Sequence, residues 1–281
     1  MAEYIFMTED QFPWILPLLP DAEQRRVEQN PEIQAIGAVE ESTACGVLLF
    51  ELIEQTVQID YLIVADGYRR RGIGTGMIQH LCKIVDEDAT PVVCGFAAAG
   101  KEAPIYQLFA DMWNFSIEED EGYYCRIPLS HMKENALLAS MKGKGGTAIP
   151  FFSLPAVEQQ GFRSKLIEQD VYFLQDIPDE DYVKELCMCC KNGTGMISAA
   201  VFLTQEFEGD DLELACAWGA PGAQKDLMGL FAHVGSLLSD RENGYLNIAA
   251  VNSSSVSLVE KIFPEREVIR KYYQAAWDME F

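Results

Sequence analysis

Positive charge and histidine are what this 281-residue sequence has least of: 21 Lys and Arg stand against 44 Asp and Glu, with three His and a formal net charge of −23. A summed field of that sign repels phosphate backbones and anionic lipid surfaces, so nucleic acid and membranes are poor partners. No stretch reaches the roughly 18 uninterrupted apolar residues that a membrane span needs, and the start, MAEYIFMTED, lacks a basic region followed by a long apolar run. The expectation is a soluble, unexported, cytoplasmic protein. Neither Gly-x-Gly-x-x-Gly nor Gly-Lys-Ser/Thr occurs, which weakens a nucleotide-binding reading of any glycine loop. The eight cysteines are scattered through a chain long enough to fold without staples, as structural thiols in a reducing compartment are. One cluster, Cys187, Cys189 and Cys190, has no second paired-cysteine element to complete it, so no metal is expected.

What is there is 49% hydrophobic sequence, enough for two ordinary cores. In the first half, 33–40, 45–54 and 57–64 read as strands, with a helical pattern over 18–29. A turn at Asp66-Gly67 and an arginine run lead into a helix over 74–85, with Met77, Ile78, Leu81, Ile84 and Val85 on one face. Residues 91–98 read as a buried strand, 103–113 as a helix and 122–128 as a closing strand. The glycine and lysine stretch 141–146 reads as flexible, and the first domain is expected to end near His131.

The later part of the second half repeats this plan. Residues 197–207 and 212–217 read as strands joined by a polar turn over 208–211, the loop 219–222 precedes a helix over 225–238, and strand 245–251 precedes a helix over 254–263. Asp60 set against Glu213 is offset by 153 residues and Ala110 against Val259 by 149, a loop-sized difference that makes an internal duplication plausible beside two unrelated α/β domains. Residues 146–186 match the first half poorly. The expected architecture is a mixed α/β sheet in two tandem domains, 1–131 and 132–281.

The most informative stretch runs from Ile59 to Met77, IDYLIVADGYRRRGIGTGM. A strand delivers the chain into a glycine-rich turn that opens a helix, where free N–H groups and the helix dipole favour an anion. Residues 1–131 hold only eight basic side chains against 22 acidic ones, and three of the eight are Arg69, Arg70 and Arg71. Local positive charge therefore sits where the backbone can use it.

This segment resembles the acetyl-CoA motif of the GNAT N-acetyltransferase superfamily, in which a strand ending in hydrophobic-x-Val is followed by Tyr-Arg-x-x-Gly-x-Gly and a helix. Leu62, Val64, Tyr68, Arg69, Gly72 and Gly74 stand at the expected spacing. The order of elements over about 4–130 is similar as well. The resemblance implies two tandem GNAT-like acyl-CoA N-acyltransferase domains, with acetyl-CoA as cosubstrate of the first. The amides of Arg69, Arg70, Arg71, Gly72, Ile73, Gly74 and Thr75 would cradle the pyrophosphate, and the backbone of Leu62, Ile63 and Val64 would pair with the pantetheine arm. The thioester would lie where the strands at 57–64 and 91–98 diverge.

For catalysis the family often places a glutamate six residues before the terminal valine. Here that position is Gln58, which takes no proton, and Asp60 lies two residues on along the same strand face. The family's general acid is a tyrosine five residues before a Gly-Phe pair; counting back from Asn114-Phe115 reaches Ala110, with Tyr106 one helical turn earlier. Tyr106 as acid and Asp60 as base are thus the catalytic candidates, beside a mechanism of positioning alone. In the second half the counterpart loop, GAPGAQKDLMG from Gly219, lacks the arginine and the Gly-x-Gly and carries Asp226, so no CoA is expected there. The function implied is transfer of acetyl from acetyl-CoA to a primary amine, electrostatically a cationic one, small molecule or peptide; the alternative is a non-catalytic acyl-CoA-binding or interaction module.

Overall fold

The computed structural model describes residues 2–86, 90–169, 177–205, 209–238, 241 and 243–277. The chain divides into two compact units: Met1–Asp120 together with Arg270–Phe281, and Glu121–Ile269.

The first unit's sheet begins with β1 (Glu3–Phe6), β2 (Gln34–Glu40), β3 (Thr43–Ile53) and β4 (Thr56–Val64), each antiparallel to the one before. Two-residue hairpins join β2 to β3 and β3 to β4. Their central residues, Glu41-Ser42 and Glu54-Gln55, all have positive φ, the backbone twist that short hairpins require even without glycine. β5 (Val92–Ala98) then runs parallel to β4 after a crossover through α3 (Ile73–Asp86), whose face of Ile73, Met77, Ile78, Leu81 and Val85 is buried at helical spacing.

On the other side of this sheet lie two helices before β2, α1 (Phe12–Ile15) and α2 (Asp21–Gln29). A core of Met7, Ile15, Leu19, Ala35, Val47 and Leu49 sits there, distinct from the α3-side core of Ile36, Leu48, Phe50, Ile59, Met77 and Leu81. After β5, the expected single helix over 103–113 is instead α4 (Pro104–Gln107) continued by a π-helical turn, Leu108–Met112, closed by the Trp113 N–H on the Leu108 carbonyl at 3.0 Å.

The next strand, β6 (Ser116–Pro128), starts in the first unit, but its residues Tyr123 to Pro128 pair in the second. The second unit continues with α5 (Leu129–Glu134), α6 (Ala136–Met141), β7 (Ile149–Pro150), α7 (Ala156–Ile167), β8 (Met188–Lys191), β9 (Ile197–Gln205), β10 (Leu212–Gly219), α8 (Gln224–Leu237), β11 (Tyr245–Ala250) and α9 (Ser253–Ile262). Of the strand and turn expected over 197–211, residues 206–208 lie outside the described residues. The strand order of this unit is β6-β11-β10-β9-β8-β7, and β10 and β11 are parallel. The last strand, β12 (Glu267–Trp277), pairs antiparallel along β5 from Lys271 to Trp277, inside the first unit.

A single cut at residue 131 therefore does not separate the units. Residues 121–131 belong to the second and 270–281 to the first, because β6 satisfies its ladder on β11 and the strand that completes β5's ladder comes from the end of the chain.

Candidate functional site

β4 carries the local geometry on which the first unit's site depends. Its pairing with β3 slips between Tyr61, opposite Leu49, and Ile59, opposite Phe50, so Asp60 is the extra residue of a β-bulge. The slip reverses the side-chain parity. Val57 and Ile59 face the α3-side core, while beyond the bulge that side is taken by Leu62 and Val64, and Tyr61 and Ile63 turn to the α1–α2 side.

On its other edge β4 is parallel to β5 only at Val57–Val92, Gln58–Val93 and Ile59–Cys94. Both strands continue, to Val64 and Ala98, without further pairing to each other among the described residues. The β5-side edge of Leu62, Ile63 and Val64 is thus open backbone at the mouth of a wedge, able to accept an extended amide chain as an added strand.

At the end of β4 a short 3₁₀ turn, Asp66–Tyr68, leads to Arg69 and then to two left-handed residues, Arg70 (φ 61°) and Gly72 (φ 79°), before α3 begins. The Gly72 carbonyl accepts the Gly76 N–H at 2.9 Å and starts the helix. The N–H groups of residues 70–75 have no hydrogen-bond partner among the described residues. Six successive donors at a helix N-terminus, turned by one glycine with positive φ, form a cradle for an oxyanion.

The three arginines divide the work. Arg69 braces the loop: its Nε donates to the Val64 carbonyl at 2.9 Å and its guanidinium pairs with Asp66 at 2.9 Å. Arg71 pairs with Glu40 at 2.8 Å and lies 5.2 Å from the centre of the Tyr68 ring. Arg70 is exposed and makes no ion pair among the described residues, so its charge is uncommitted. Gly74, unlike Gly72, needs no unusual φ; its missing Cβ would meet Leu62 Cδ2 at 3.5 Å and Val64 Cγ2 at 3.8 Å, so a longer side chain there would enter the mouth beside β4. Thr75 Oγ1 accepts from Trp113 Nε1 at 3.1 Å, tying the start of α3 to the end of the π turn.

The two catalytic candidates lie on opposite faces of the sheet. Asp60 is on the α2 side, 6% exposed, with Oδ2 at 2.6 Å from the Arg26 guanidinium in poor hydrogen-bond alignment and Oδ1 accepting from Gln58 Nε2 at 3.2 Å. Arg26 also holds Glu51 at 2.7 Å and Glu23 at 3.3 Å. Burial pushes the Asp60 carboxyl above its ordinary range, partly offset by Arg26. Tyr106 is on the other face, its ring edge-on to Phe96 (6.3 Å) and Tyr273 (5.1 Å), and its hydroxyl has no partner among the described residues. The wider π turn that begins at Leu108 breaks the expected i, i+4 relation of Tyr106 to Ala110.

The bulge, the Arg26 cluster and the π turn leave no periodic mark in the sequence; Arg26 lies within the helical pattern over 18–29 and is not singled out. β1 and the distant β12 were likewise missed, although VIRKYYQAAW carries aromatic and β-branched residues suited to a strand.

The second unit preserves the frame of this site and loses its contents. Its parallel pair begins in register at Leu212–Leu246 and Glu213–Asn247 and then parts, and its bulge falls between Leu214 and Cys216, making Ala215 the counterpart of Asp60. The strand offset is thus 155 residues rather than the 153 expected from Asp60 against Glu213. After the strands, Ala65 N–H to Cys45 and Tyr68 N–H to Ala65 have counterparts in Ala220 N–H to Ser198 and Ala223 N–H to Ala220. Tyr68 and Ala223 are 155 apart, yet the helix starts, Ile73 and Gln224, are 151 apart. The four residues missing from the second loop are the counterparts of Arg69, Arg70, Arg71 and Gly72. There Pro221 has no N–H, and the Ala223 and Asp226 amides are already bonded. The Asp226 carboxylate accepts from Ser198 Oγ at 2.6 Å and Gly146 N–H at 2.8 Å.

Among the described residues no group of three or more His, Cys, Asp or Glu side chains could hold a metal, and no helix is long and apolar enough to cross a membrane. All eight cysteines are free thiols; those of the 187–190 cluster are buried, with burial pushing Cys187 up to about 12, Cys189 to about 11 and Cys190 to about 12.

A bulged strand, a parallel wedge and a glycine turn opening a helix define the acyl-CoA-dependent acyltransferase class of fold. Residues 3–98 match the acetyltransferase (GNAT) family, and the whole chain has a fold similar to that of tandem GNAT proteins. It is similar in fold to a tandem GNAT protein from the clavulanic acid biosynthesis pathway, at 12% identity and a TM-score of 0.60 over 100% of this chain and 99% of that one. A probable N-acyltransferase from Enterococcus faecalis V583 matches at 12% identity and a TM-score of 0.57, covering 100% of this chain and 73% of that one. A GCN5-related N-acetyltransferase from Kribbella flavida matches at 10% identity and 0.54, covering 98% and 70%. No curated protein sequence matches the chain.

Proposed function

We propose that the first unit binds acetyl-CoA and transfers its acetyl group to a primary amine. The observation that carries the reading is the run of unpartnered amides over 70–75 beside the open edge of β4, a phosphate cradle adjoining a track for an amide chain. In this reading the pyrophosphate lies on those amides, with Arg70 as the free counter-charge, and the pantetheine arm pairs with Leu62, Ile63 and Val64. The thioester then sits in the wedge, between Asp60 on one face and Tyr106 on the other.

Acyl transfer from a thioester to an amine needs a free amine, a held carbonyl and a proton for the departing thiolate. The Tyr106 hydroxyl, with no other partner, supplies that proton. Asp60, whose carboxylate burial makes more basic, takes the proton from the amine directly or through water. The acidic group of Glu23, Glu51 and Asp60 outnumbers Arg26 on the Asp60 side, which favours a cationic acceptor. Turnover of acetyl-CoA with a panel of polyamines, aminoglycosides and amino-acid amides tests the reading; release of CoA that depends on one class of amine is expected. CoA binding with no turnover on any amine would favour a non-catalytic acyl-CoA-binding module.

A further inference from the structure

In the second unit a cavity of about 370 Å³, of small-molecule size, lies between the α5–α6 corner and the end of α9. Its floor is apolar: Ile127 of β6 and Phe263 after α9 are buried, with Leu137 half-buried beside them. Asn135 fixes the walls, donating from Nδ2 to the Ile262 carbonyl at 2.5 Å and accepting at Oδ1 from the Leu138 N–H at 3.0 Å. The polar wall is incomplete. Arg266 lines the cavity with its side chain 17% exposed; Nη2 pairs with Glu260 at 2.6 Å, and the guanidinium carbon lies 4.9 Å from the centre of the Tyr123 ring. Arg266 Nε and the hydroxyl of Tyr123, a residue only 7% exposed, are buried without an aligned hydrogen-bond partner, two of three such side-chain atoms among the described residues. An unpaired buried donor is costly, and Nε–H can only donate, so what this wall lacks is an acceptor. Charge on the rim is uncommitted too: Lys261, Glu134 and Glu265 are exposed and make no ion pair among the described residues.

We propose that this cavity binds a free amino acid with an apolar side chain. The ligand's carboxylate is the acceptor that Arg266 lacks, with Lys261 as a second counter-charge. Its ammonium group faces Glu134 and Glu265, and its side chain rests on Ile127, Leu137 and Phe263. A simple anion meets two free carboxylates on the rim, and a simple amine leaves the Arg266 donor unpaired; a zwitterion answers both signs. All of these residues belong to the second unit, so the site stands or falls independently of the CoA cradle proposed for the first.

Calorimetric titration of leucine into the full chain tests this, beside leucinamide, which lacks the carboxylate, and 4-methylpentanoate, which lacks the ammonium group. One leucine per chain is expected, with a dissociation constant below about 1 mM, and both analogues should bind at least about tenfold more weakly. Arg266→Lys keeps the charge and removes the Nε–H donor, and should weaken leucine at least about tenfold. Lys261→Gln and Glu134→Gln, exposed substitutions that break no ion pair among the described residues, should each weaken it several-fold with thermal melting unchanged, and they decide the matter should Arg266→Lys fail to fold. Absence of leucine binding, an analogue that binds as tightly as leucine, or leucine affinity untouched in both rim variants overturns the proposal.

Discussion

The first unit reaches α3 from β4 through Ala65 to Gly72, and the second reaches α8 from β10 through Ala220 to Ala223. Both turns begin with the same two backbone hydrogen bonds, and they differ by the four residues Arg69, Arg70, Arg71 and Gly72. With those residues, a left-handed glycine lifts the chain clear of the strand end and leaves six amides free. Without them, the helix begins at once, Pro221 has no N–H to offer and the Ala223 and Asp226 amides are bonded within the turn. The strand bulge and the wedge survive in both, so the frame depends on the sheet while the free amides proposed to bind the phosphates depend on the loop.

The severest test of that difference is to convert one loop into the other. Deleting residues 69–72 should leave the fold intact, as it is in the second unit, and weaken CoA binding at least about 10³-fold, the loss of several charge-assisted hydrogen bonds together. Isothermal titration with thermal melting measures both; a folded deletion variant with native CoA affinity would detach phosphate binding from this loop. Gly74→Glu should also abolish CoA binding, by filling the mouth beside Leu62 and Val64. Lys225→Glu, at the equivalent position counted from the helix start, should leave CoA affinity within a few fold.

Much of this contrast was legible in the residues. Gly72 and Gly74 after an apolar strand, with three arginines where basic residues are scarce, marked the loop, and the loss of that pattern after Gly219 marked its absence. The register was not legible, because a bulge adds one residue without altering composition: Asp60 aligned with Glu213 by eye and with Ala215 by pairing. The exchange of closing strands at β6 and β12 was hidden for a different reason. Each segment looks like any half-buried strand, and which ladder it joins is decided by contacts far apart in the chain.

The proposed catalytic pair is the next point of contrast, since Asp60 corresponds to an alanine in the second unit. Tyr106→Phe should lower kcat about 10²-fold with little change in KM for acetyl-CoA, the size of a general-acid contribution. Asp60→Asn should lower kcat/KM and remove its acidic limb. That limb lies above the ordinary carboxylate range, because burial raises the Asp60 pKa; as pH falls through it the base is protonated and activity is lost. Rates within a few fold of wild type in both variants, following only the fraction of unprotonated amine, would leave positioning as the mechanism.

A smaller effect is expected from the uncommitted arginine. Arg70→Gly keeps the left-handed backbone and removes only the charge, so CoA affinity should fall about tenfold, the order of one exposed charge-assisted contact, and the loss should shrink in high salt. Arg69→Ala should act differently, by loosening the brace to the Val64 carbonyl, and its effect should persist in high salt.

The stoichiometry of CoA binding tests the central claim most directly. Calorimetric titration of the intact chain should give one CoA per chain, lost on deletion of residues 69–72. Two equivalent CoA sites, or one site that survives the deletion, would contradict an account in which those four residues separate the two units.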